Sequence, residues 1–392
     1  MAKKRIVVGM SGGVDSSVTA ALLQQAGWDV IGVTLDFVCD GSGCCDAADA
    51  HAVCQVLGIR HVHRDCSPAF EERVIQPFCD AYAAGLTPSP CPGCNATMKI
   101  PELLEVADEM GATHVATGHY AQLAQTYLPR PGFAPVPPRI VVKAAADERK
   151  DQSYMLSRLS QEQLRRLVLP LGGMTKAEVR ALAAELNLPV AQRPDSEDLC
   201  FAPSGYRALL AERGVEGTPG PILNAVGKQL GTHTGLIDYT IGQRSGLGIG
   251  GAPEPYYVMA KDAVANALVV GFAGEAKMWA ALVADPVWQA IPAVPGVPLQ
   301  CTVKLRYRSR AVPCTLEVAA AGEAAGDAAV QAALAAQSSA TQSLTSQSPA
   351  SDMLRVTLAD PQPLTAPGQF AVFYSGDTVL GSGIIAAVIR ER

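Results

Sequence analysis

The sequence predicts an α/β protein with an N-terminal doubly wound parallel sheet, a small, mostly β central domain and a C-terminal antiparallel β-barrel. Apolar runs and helical patterns alternate up to about residue 205, which is typical of a parallel sheet covered by helices. A glycine-dense stretch follows at 217–251, and alternating apolar and polar runs dominate after about residue 275. We therefore expect three domains, at 1–205, 206–275 and 276–392.

The N-terminal elements follow one another in a regular order. A first strand at 5–10 leads through a glycine-rich turn into a helix at 17–26, which Gly27 ends. Further strands are expected at 28–35, 60–64 and 113–118. Further helices are expected at 47–57, 70–84, 100–110, 152–159, 161–167 and 175–186, with a proline-rich surface loop at 128–138.

The later elements are short and β-like. The expected strands lie at 235–241 in the central domain and at 299–308, 312–317, 354–358, 369–374 and 383–389 in the barrel. An Ala/Ser/Gln tract at about 319–351 carries almost no charge. We expect this tract to be a disordered loop inserted between two barrel strands.

Composition and charge narrow the class of protein. No apolar run approaches the roughly 20 residues that a membrane span requires, and the N-terminus leads straight into the first strand without a signal peptide. We therefore expect a cytoplasmic chain without a membrane partner, whose 11 cysteines are thiols, ligands or catalytic groups rather than structural disulfides. The net charge of −6 argues weakly against a nucleic-acid partner, although a local basic face can carry such binding.

The run Ser-Gly-Gly-Val-Asp-Ser at 11–16 is the clearest chemical signal. A strand, a glycine-rich turn and a helix N-terminus together form an anion site from backbone N–H groups and the helix dipole. The lysine of the GxxxxGK[ST] loop is missing, which excludes that kind of γ-phosphate site. The pattern SGGxDS instead resembles the PP-loop of adenine nucleotide α-hydrolase-like proteins, which bind the β,γ-pyrophosphate and release it after attack at the α-phosphate. The resemblance implies adenylation of a substrate, and a purely structural Gly-Gly turn is the alternative.

Two cysteines lie in polar loops, where a structural cysteine is uncommon. Cys94 ends a proline- and glycine-rich loop and precedes a predicted helix at 98–110, whose N-terminal dipole would favour a thiolate. Cys200 follows the polar run at 193–199. For either cysteine alone, a free surface thiol is the alternative.

Motifs spread over nearly the whole chain resemble those of tRNA-specific 2-thiouridylases, PP-loop enzymes that thiolate the wobble uridine of tRNA. These motifs are SGGVDSS at 11–17, TGHY at 117–120, KDQSY at 150–154, DSEDLCF at 195–201, YTIGQR at 239–244, GLGIGG at 246–251, KLRYR at 304–308 and VFYSG at 372–376. A distributed set of this kind is far more specific than any single motif.

The resemblance implies roles for individual residues. Cys94 falls at the family's nucleophile and Cys200 at its persulfide-forming cysteine. The implied ATP contacts are Gly9, Met10, Ser11, Gly12, Gly13, Val14, Asp15, Ser16, Leu35 and Gly118. The implied tRNA contacts are Ser89, Pro90, Cys91, Lys150, Asp151, Gln152, Arg306 and Tyr307. A solvated charged face is the alternative for Lys150 and Arg306, although Arg306-Tyr307 pairs a cation with a stacking ring, as single-stranded RNA recognition does.

The resemblance also implies a reaction and partners. ATP would transfer AMP to the C2 oxygen of the wobble uridine in the tRNA anticodon stem-loop, and Mg2+ would offset the charge of the leaving pyrophosphate. A persulfide on Cys200, loaded by a persulfide-carrying donor protein or a cysteine desulfurase, would then supply sulfur, directly or after Cys94 releases it as sulfide. A resulting Cys94–Cys200 disulfide would need reduction. The carboxylates of Asp195, Glu197 and Asp198 would raise a nearby thiol pKa and so oppose this chemistry.

The chain departs from the family pattern beside the nucleophile. Where the family commonly has Asn-Pro-Asp, this chain has Ser-Pro-Cys at 89–91, so the aspartate is lost and a CxxC motif appears. Cys91, Cys94 and Cys200 would together suffice to hold a [4Fe–4S] cluster with one open iron. A redox pair and a zinc site are other interpretations of CxxC.

Two further features remain open at this point. Cys39, Cys44 and Cys45 form a second group beside the expected nucleotide site, where we expect partial burial against the adenine rather than a structural metal site. Ser245 stands where the family usually has a lysine in GQRKGLG, which would remove one phosphate contact.

Two other functional classes compete with thiolation. Another PP-loop enzyme would adenylate a small molecule and exchange ATP with pyrophosphate without tRNA, and it would need neither the Cys94/Cys200 pair nor a C-terminal barrel. A non-catalytic RNA-binding module would consume no ATP. It would bind tRNA equally well after Cys94→Ser or Asp15→Ala.

Overall fold

The chain is built from three β-sheets, with helices packed mainly on the first, in a computed structural model that describes residues 4–38, 47–126, 137–195, 199–290, 295–319 and 353–390. The strands are β1 (Arg5–Gly9), β2 (Asp29–Asp36), β3 (Arg60–Asp65), β4 (His114–Ala116), β5 (Gln122–Thr126), β6 (Arg139–Lys143), β7 (Leu167–Val168), β8 (Gly220–Asn224), β9 (Gln229–His233), β10 (Tyr257–Asp262), β11 (Ala267–Gly271), β12 (Lys277–Trp288), β13 (Leu299–Lys304), β14 (Val312–Val318), β15 (Leu354–Pro363), β16 (Phe370–Ser375) and β17 (Thr378–Ile389). The α-helices are α1 (Val14–Gln25), α2 (Ala47–Leu57), α3 (Ser67–Phe70), α4 (Gln76–Ala83), α5 (Pro90–Cys94), α6 (Ile100–Glu109), α7 (Gln161–Arg166), α8 (Lys176–Glu185) and α9 (Tyr206–Glu212).

The first sheet has the order β3-β2-β1-β4-β7, and all of its neighbouring strands run parallel. Ile6, Val7 and Val8 in the central strand β1 are each 0% exposed, so both faces of the strand are covered. A continuous apolar run of this kind is characteristic of parallel strands with helices on both sides. The predicted N-terminal doubly wound parallel sheet is therefore confirmed.

The C-terminal strands form a closed antiparallel barrel. Its order is β12-β15-β14-β13-β16-β17, and β12 also pairs with β17, which closes the ring of six strands. The barrel encloses a core that includes Val303, Leu316, Val356, Phe373 and Ile385, each 0% exposed. The predicted C-terminal β-barrel is confirmed, because closure leaves these alternating side chains buried inside.

A hairpin from the N-terminal part of the chain extends the barrel sheet. β5 and β6 pair with each other, and β6 pairs with β17 at Lys143 and Thr378. Arg158 and Asp285 form an ion pair of 2.6 Å between the same two regions. The sequence did not predict this hairpin, which joins the parallel-sheet region directly to the barrel.

The central region forms a four-stranded sheet in the order β10-β11-β8-β9, around a small core that includes Ile222, Val258 and Leu268. The prediction that this region is mostly β agrees with the sheet. The strand expected at 235–241 is wrong, because residues Leu236–Asp238 form a 3₁₀ turn. The domain boundaries near residues 205 and 275 stay predictions.

Several predicted elements differ from the structure. The helix expected at 70–84 is interrupted by a π-helical turn at Glu71–Ile75, and the helix expected at 152–159 is a 3₁₀ turn at Ser153–Leu156. β12 was not predicted. Cys39, Cys44, Cys45, the loop at 127–136 and the tract at 320–352 lie outside the described residues. Within the described residues, no helix is long and apolar enough to cross a membrane.

Candidate active site

The glycine-rich loop at 10–13 joins β1 to α1, and serine hydroxyls of the loop and of the first turn of α1 fix its conformation. Gly12 has a φ of 71°, a conformation that favours glycine. The Oγ atoms of Ser11 and Ser16 lie 3.2 Å apart, and Ser16 Oγ donates to the Gly13 carbonyl at 3.1 Å. Ser17 Oγ donates to the same carbonyl at 2.8 Å. The hydroxyls thus fix the loop at the N-terminus of α1, where backbone N–H groups and the helix dipole favour an anion.

Gly118 lies directly against this loop. A Cβ atom at residue 118 would stand 2.8 Å from the backbone nitrogen of Ser16 and 2.8 Å from the carbonyl carbon of Asp15. Leu35, on the neighbouring strand β2, is 5% exposed, and the adjacent Thr34 donates to the Met10 carbonyl at 3.1 Å. The structure therefore brings the predicted nucleotide residues together around one loop.

Asp15 is held by a lysine that the sequence reasoning missed. Lys176 Nζ lies 2.7 and 2.9 Å from the two carboxylate oxygens of Asp15, and the Tyr120 hydroxyl donates to the same carboxylate at 2.7 Å. Burial, and then the hydrogen bond to Asp15, raise the pKa of Tyr120 well above its usual range. Lys176 begins α8, behind a capping box formed by Thr175 and Glu178. The capping-box pattern in the sequence could have predicted that Lys176 begins a helix. It could not have predicted the contact with Asp15, which lies 161 residues earlier in the chain.

Asp195 lies among three cations beside the same loop. Its carboxylate is 2.6 Å from Lys150, 2.8 Å from Lys176 and 2.7 Å from Arg180. Burial opposes ionisation of Asp195, but the hydrogen bonds from Lys150 and Lys176 outweigh it and lower the pKa to about 2. Arg193 adds a fourth cation, whose Nη1 lies 3.4 Å from a loop carbonyl. Arg193 also pairs with Asp49, so four cations stand beside the loop against the carboxylates of Asp15, Asp49 and Asp195, which leaves one positive charge in excess where a polyphosphate would approach.

Cys91 and Cys94 occupy one continuous helical segment, formed by α5, the π-helical turn Asn95–Lys99 and α6. The expectation of a helix that starts near residue 98 and favours a thiolate at Cys94 is wrong. The segment already begins at Pro90, and burial raises the pKa of Cys94 to about 12 and that of Cys91 to about 11. The charge of Lys99 lowers both values only in part.

Cys200 belongs to the same group of thiols. Its charge raises the pKa of both Cys91 and Cys94. None of the three cysteines is in a disulfide, and Cys200 is exposed whereas Cys91 and Cys94 are partly exposed. Across the described ranges, no three His, Cys, Asp or Glu side chains converge in a metal-binding geometry. The three thiols are therefore not arranged as ready ligands of an iron–sulfur cluster. Glu197 and Asp198 lie outside the described residues.

Two polar residues linked to the helical segment of Cys94 were not singled out from the sequence. Asn95 is 4% exposed, and its side-chain nitrogen donates to the Met155 carbonyl at 3.1 Å, while its buried Oδ1 has no hydrogen-bond partner among the described atoms. His119 lies 2.8 Å from the Thr117 hydroxyl, and burial and then Lys99 lower its pKa to about 3. Asn95 directly follows Cys94, and His119 is influenced by the charge of Lys99 on the same segment. The TGHY motif contained His119 without revealing this environment.

The residues predicted to contact tRNA differ in how far their side chains are exposed to solvent. Lys150 is 40% exposed on its side chain and Arg306 is exposed, while Tyr307 is partly buried with its ring 5.8 Å from that of Tyr154. Ser89 and Pro90 start the helix that carries the thiols, beside Cys91. These residues lie where the parallel-sheet region meets the barrel.

The side chains of Asp151 and Gln152 both make hydrogen bonds within the protein. Asp151 is 8% exposed, and its carboxylate accepts from Ala145 N at 3.1 Å, Ser153 Oγ at 2.9 Å and Lys304 Nζ at 3.0 Å. Gln152 Oε1 accepts from the backbone nitrogen of Tyr120 at 2.9 Å. The Asp151 carboxylate is therefore used within the protein, whereas Gln152 is only partly buried and keeps part of its surface open to RNA.

Three family descriptions match the chain. Residues 4–204 match the family described as "tRNA methyl transferase HUP domain". Residues 208–272 match "tRNA methyl transferase PRC-barrel domain", and residues 327–385 match "Aminomethyltransferase beta-barrel domain". The first match alone spans more than half of the 392 residues.

Curated relatives are similar over nearly the whole chain. A Synechococcus protein named tRNA-specific 2-thiouridylase MnmA is 40% identical over 99% of this chain and 98% of its own length. Proteins of the same name from Trichlorobacter lovleyi and Symbiobacterium thermophilum are 40% identical over 98% of this chain and 98% of their length, and 38% identical over 99% and 93%, respectively. Among solved structures, the U34-tRNA thiolase NcsA from Methanococcus maripaludis has a TM-score of 0.31 and 19% identity over 53% of this chain and 62% of that chain, too distant for a comparison of sites.

Proposed function

The chain belongs to the family of tRNA-specific 2-thiouridylases, and from this premise we propose that it converts the wobble uridine of tRNA to 2-thiouridine, cleaving ATP to AMP and pyrophosphate. The observation that carries the proposal is that the segment 152–155 links a phosphate-binding loop to the helical segment that carries the thiols: Gln152 binds Tyr120, which donates to Asp15, and Met155 accepts from Asn95, the residue after Cys94. The loop is fixed by Ser16 and Ser17 and surrounded by cations, and the thiols are Cys91, Cys94 and Cys200.

The loop and its cations support the adenylation step. Backbone N–H groups at the start of α1 would bind the pyrophosphate of ATP, and Lys176 would supply the positive charge that the absent GxxxxGK[ST] lysine supplies elsewhere. Asp15, with the phosphates, offers oxygen donors of the kind that Mg2+ prefers. When bound there, Mg2+ would offset the charge of the leaving pyrophosphate.

The thiols support the sulfur transfer. Cys200 is exposed and therefore accessible to a persulfide-carrying donor protein or a cysteine desulfurase, whereas Cys94 is largely shielded. The terminal sulfur of a Cys200 persulfide would bond to C2 of the adenylated uridine, and AMP would leave with the C2 oxygen. Cys94 would attack the inner sulfur of Cys200, and the resulting disulfide would be reduced by two electrons from an external dithiol.

The RNA would lie where the parallel-sheet region meets the barrel. Lys150 and Arg306 offer exposed cations, and Tyr307 offers a ring for stacking. The central domain at 206–275 would contribute further contacts with the anticodon stem-loop. To reach the thiols, the wobble base must leave its stack, which costs a few kcal/mol.

An iron–sulfur route to the same product is the alternative that the CxxC spacing of Cys91 and Cys94 favours. Among the described residues, the three thiols do not converge in the geometry of cluster ligands. Iron content and the visible spectrum of protein purified without oxygen distinguish the two routes. Bound iron, together with activity lost in Cys91→Ser, would replace the persulfide mechanism.

The test of the function is a product assay with unmodified tRNA, ATP and a persulfide donor, followed by mass spectrometry of the nucleosides. We expect sulfur in place of oxygen at the wobble uridine, with AMP released in equal amount. Methylated uridine would instead indicate a tRNA methyltransferase, the activity that the matching family descriptions name. ATP–pyrophosphate exchange that needs no tRNA would indicate a small-molecule ligase, and no ATP use at all would indicate an RNA-binding module.

A further inference from the structure

The barrel carries a pair of cysteines outside the candidate active site. Cys301 on β13 stands directly opposite Cys314 on β14, and their sulfur atoms lie 3.5 Å apart. Both are free thiols, of which Cys314 is 3% exposed and Cys301 is partly exposed. A buried cysteine and a partly exposed cysteine on neighbouring strands therefore hold their sulfur atoms at contact distance.

The strand register fixes this pair in place. The cross-strand pairs two residues away on either side are Leu299 with Leu316 and Val303 with Val312. They lie on the same face as the cysteines, because side chains alternate along a strand. Slipping by one residue would move the whole apolar set to the opposite face, so the register that opposes the sulfurs is strongly specified.

We propose that Cys301 and Cys314 form a reversible disulfide by exchange with a small-molecule disulfide such as glutathione disulfide. The Cys301 thiolate attacks one sulfur of the small disulfide and releases the first small thiol. Cys314 then attacks Cys301 Sγ in the mixed disulfide and releases the second small thiol. The protein loses two electrons and two protons, and the small disulfide gains both.

The order of attack follows from the two environments. Cys301 is the more exposed of the two cysteines, so we expect its sulfur to meet the small disulfide first. A hydrogen bond to Cys301, and then burial, hold the pKa of Cys314 far above its usual range, so Cys314 reacts only as the second, intramolecular thiol. Bond formation draws the sulfur atoms from 3.5 Å to about 2.05 Å, a movement within reach of strands already paired.

The disulfide would close a ring around residues 302–313. This segment contains Arg306 and Tyr307, so, as far as the proposed function holds, oxidation would act on the loop that contacts tRNA. Because ring closure restricts this loop and shifts the strand ends that carry it, we expect the oxidised chain to bind tRNA more weakly.

The test is peptide mass spectrometry of the full chain after incubation with excess glutathione disulfide at pH 8. We expect a crosslinked peptide pair joining Cys301 to Cys314, lighter by two hydrogens and separated again by dithiothreitol. In Cys314→Ser we expect glutathione to remain attached at Cys301, because the resolving thiol is gone. Cys301 left unmodified in both chains would overturn the proposal, as would separate glutathione adducts on the two cysteines of the unaltered chain.

The effect on RNA is measured in a Cys94→Ser/Cys200→Ser chain, so that oxidation of the catalytic thiols does not contribute. The expected result is a larger dissociation constant for tRNA after oxidation, restored by dithiothreitol and absent when Cys301→Ser is added. An unchanged dissociation constant would overturn the effect on RNA. A chain that binds no tRNA in either state would overturn the proposed function, while the mass spectra would still decide the disulfide.

Discussion

The nucleotide side and the thiol side of the candidate active site differ in how they are prepared for chemistry. Around Asp15 and Asp195, three cations make hydrogen-bonded ion pairs of 2.6 to 2.9 Å, and the pKa of Asp195 falls to about 2. Around Cys94, burial dominates, and the pKa of the thiol rises to about 12. The nucleotide side consists of paired charges, whereas on the thiol side burial keeps Cys94 in its neutral, protonated form.

This difference matters because the two sides would do different work. Pyrophosphate departure needs charges fixed before the reaction, since preorganised groups do not reorganise during the step. A sulfur nucleophile is reactive only as an anion, and at Cys94 the cost of burying an anion outweighs the favourable charge of Lys99. We infer that the adenylation side is built in the free chain, whereas the thiol at Cys94 becomes reactive only after substrate or a persulfide changes its surroundings.

The largest predicted effect separates the two sides by removing a thiol. Cys94→Ser and Cys200→Ser should each lower 2-thiouridine formation by about a thousandfold or more, because the sulfur-transferring atom is lost. ATP binding should stay within about twofold of the unaltered chain, since the ion pairs beside the loop are made by Lys150, Lys176 and Arg180. Product formation and ATP binding are measured on the same preparations, with Cys301→Ser as a matched control outside the site. Loss of ATP binding in either variant would contradict the separation.

The second effect removes a charge from the nucleotide side. Lys176→Met should weaken ATP binding by about ten- to a hundredfold, the range expected for lost hydrogen bonds to a charged group. Lys176→Arg should recover part of the loss, because it keeps the charge with a different geometry. Lys143→Met, which removes an ion pair with Asp377 away from the loop, is the control. Equal ATP affinity in Lys176→Met and the control would show that Lys176 holds Asp15 in position but does not contribute to ATP binding.

The third effect compares thiol reactivity. With a pKa of about 12, only about 10⁻⁴ of Cys94 is thiolate at pH 8, so iodoacetamide should modify the exposed Cys200 far faster. The Cys94 rate should rise about tenfold for each pH unit above 8, because thiolate fraction grows in that proportion below the pKa. Quantitative peptide mass spectrometry gives both rates. If ATP and tRNA raise the Cys94 rate at constant pH, substrate activates the thiol; a Cys94 that already matches Cys200 at pH 8 would refute the difference between the two sides.

The sequence predicted the parts of the site that lie within a short run of residues. The loop at 11–16 and the parallel sheet beneath it follow from local pattern, because a strand, a glycine turn and a helix are consecutive. Lys176 and the hairpin of β5 and β6 could not be predicted in the same way. Their positions depend on contacts between distant segments, such as Lys176 with Asp15 and β6 with β17. The raised pKa of Cys94 was missed for a related reason, since burial is a property of the folded chain and not of the CxxC motif.

The smallest predicted effect concerns the stability of the charged side. The pKa of Asp195 is lowered from 3.8 to about 2, so its ionised form stabilises the folded chain above about pH 4, and this contribution is lost as the pH falls toward 2. Because the Asp195 side chain keeps 25% of its surface exposed to solvent, which screens its ion pairs, we expect about 1 kcal/mol rather than the larger figure that the shift alone implies. Asp195→Asn should therefore lower the urea midpoint at pH 7, while the exposed Asp360→Asn should not. The gap between Asp195→Asn and the unaltered chain should narrow as the pH falls from 4 to 2; a gap that persists at pH 2 would mean that Asp195 acts through shape and hydrogen bonding, not charge.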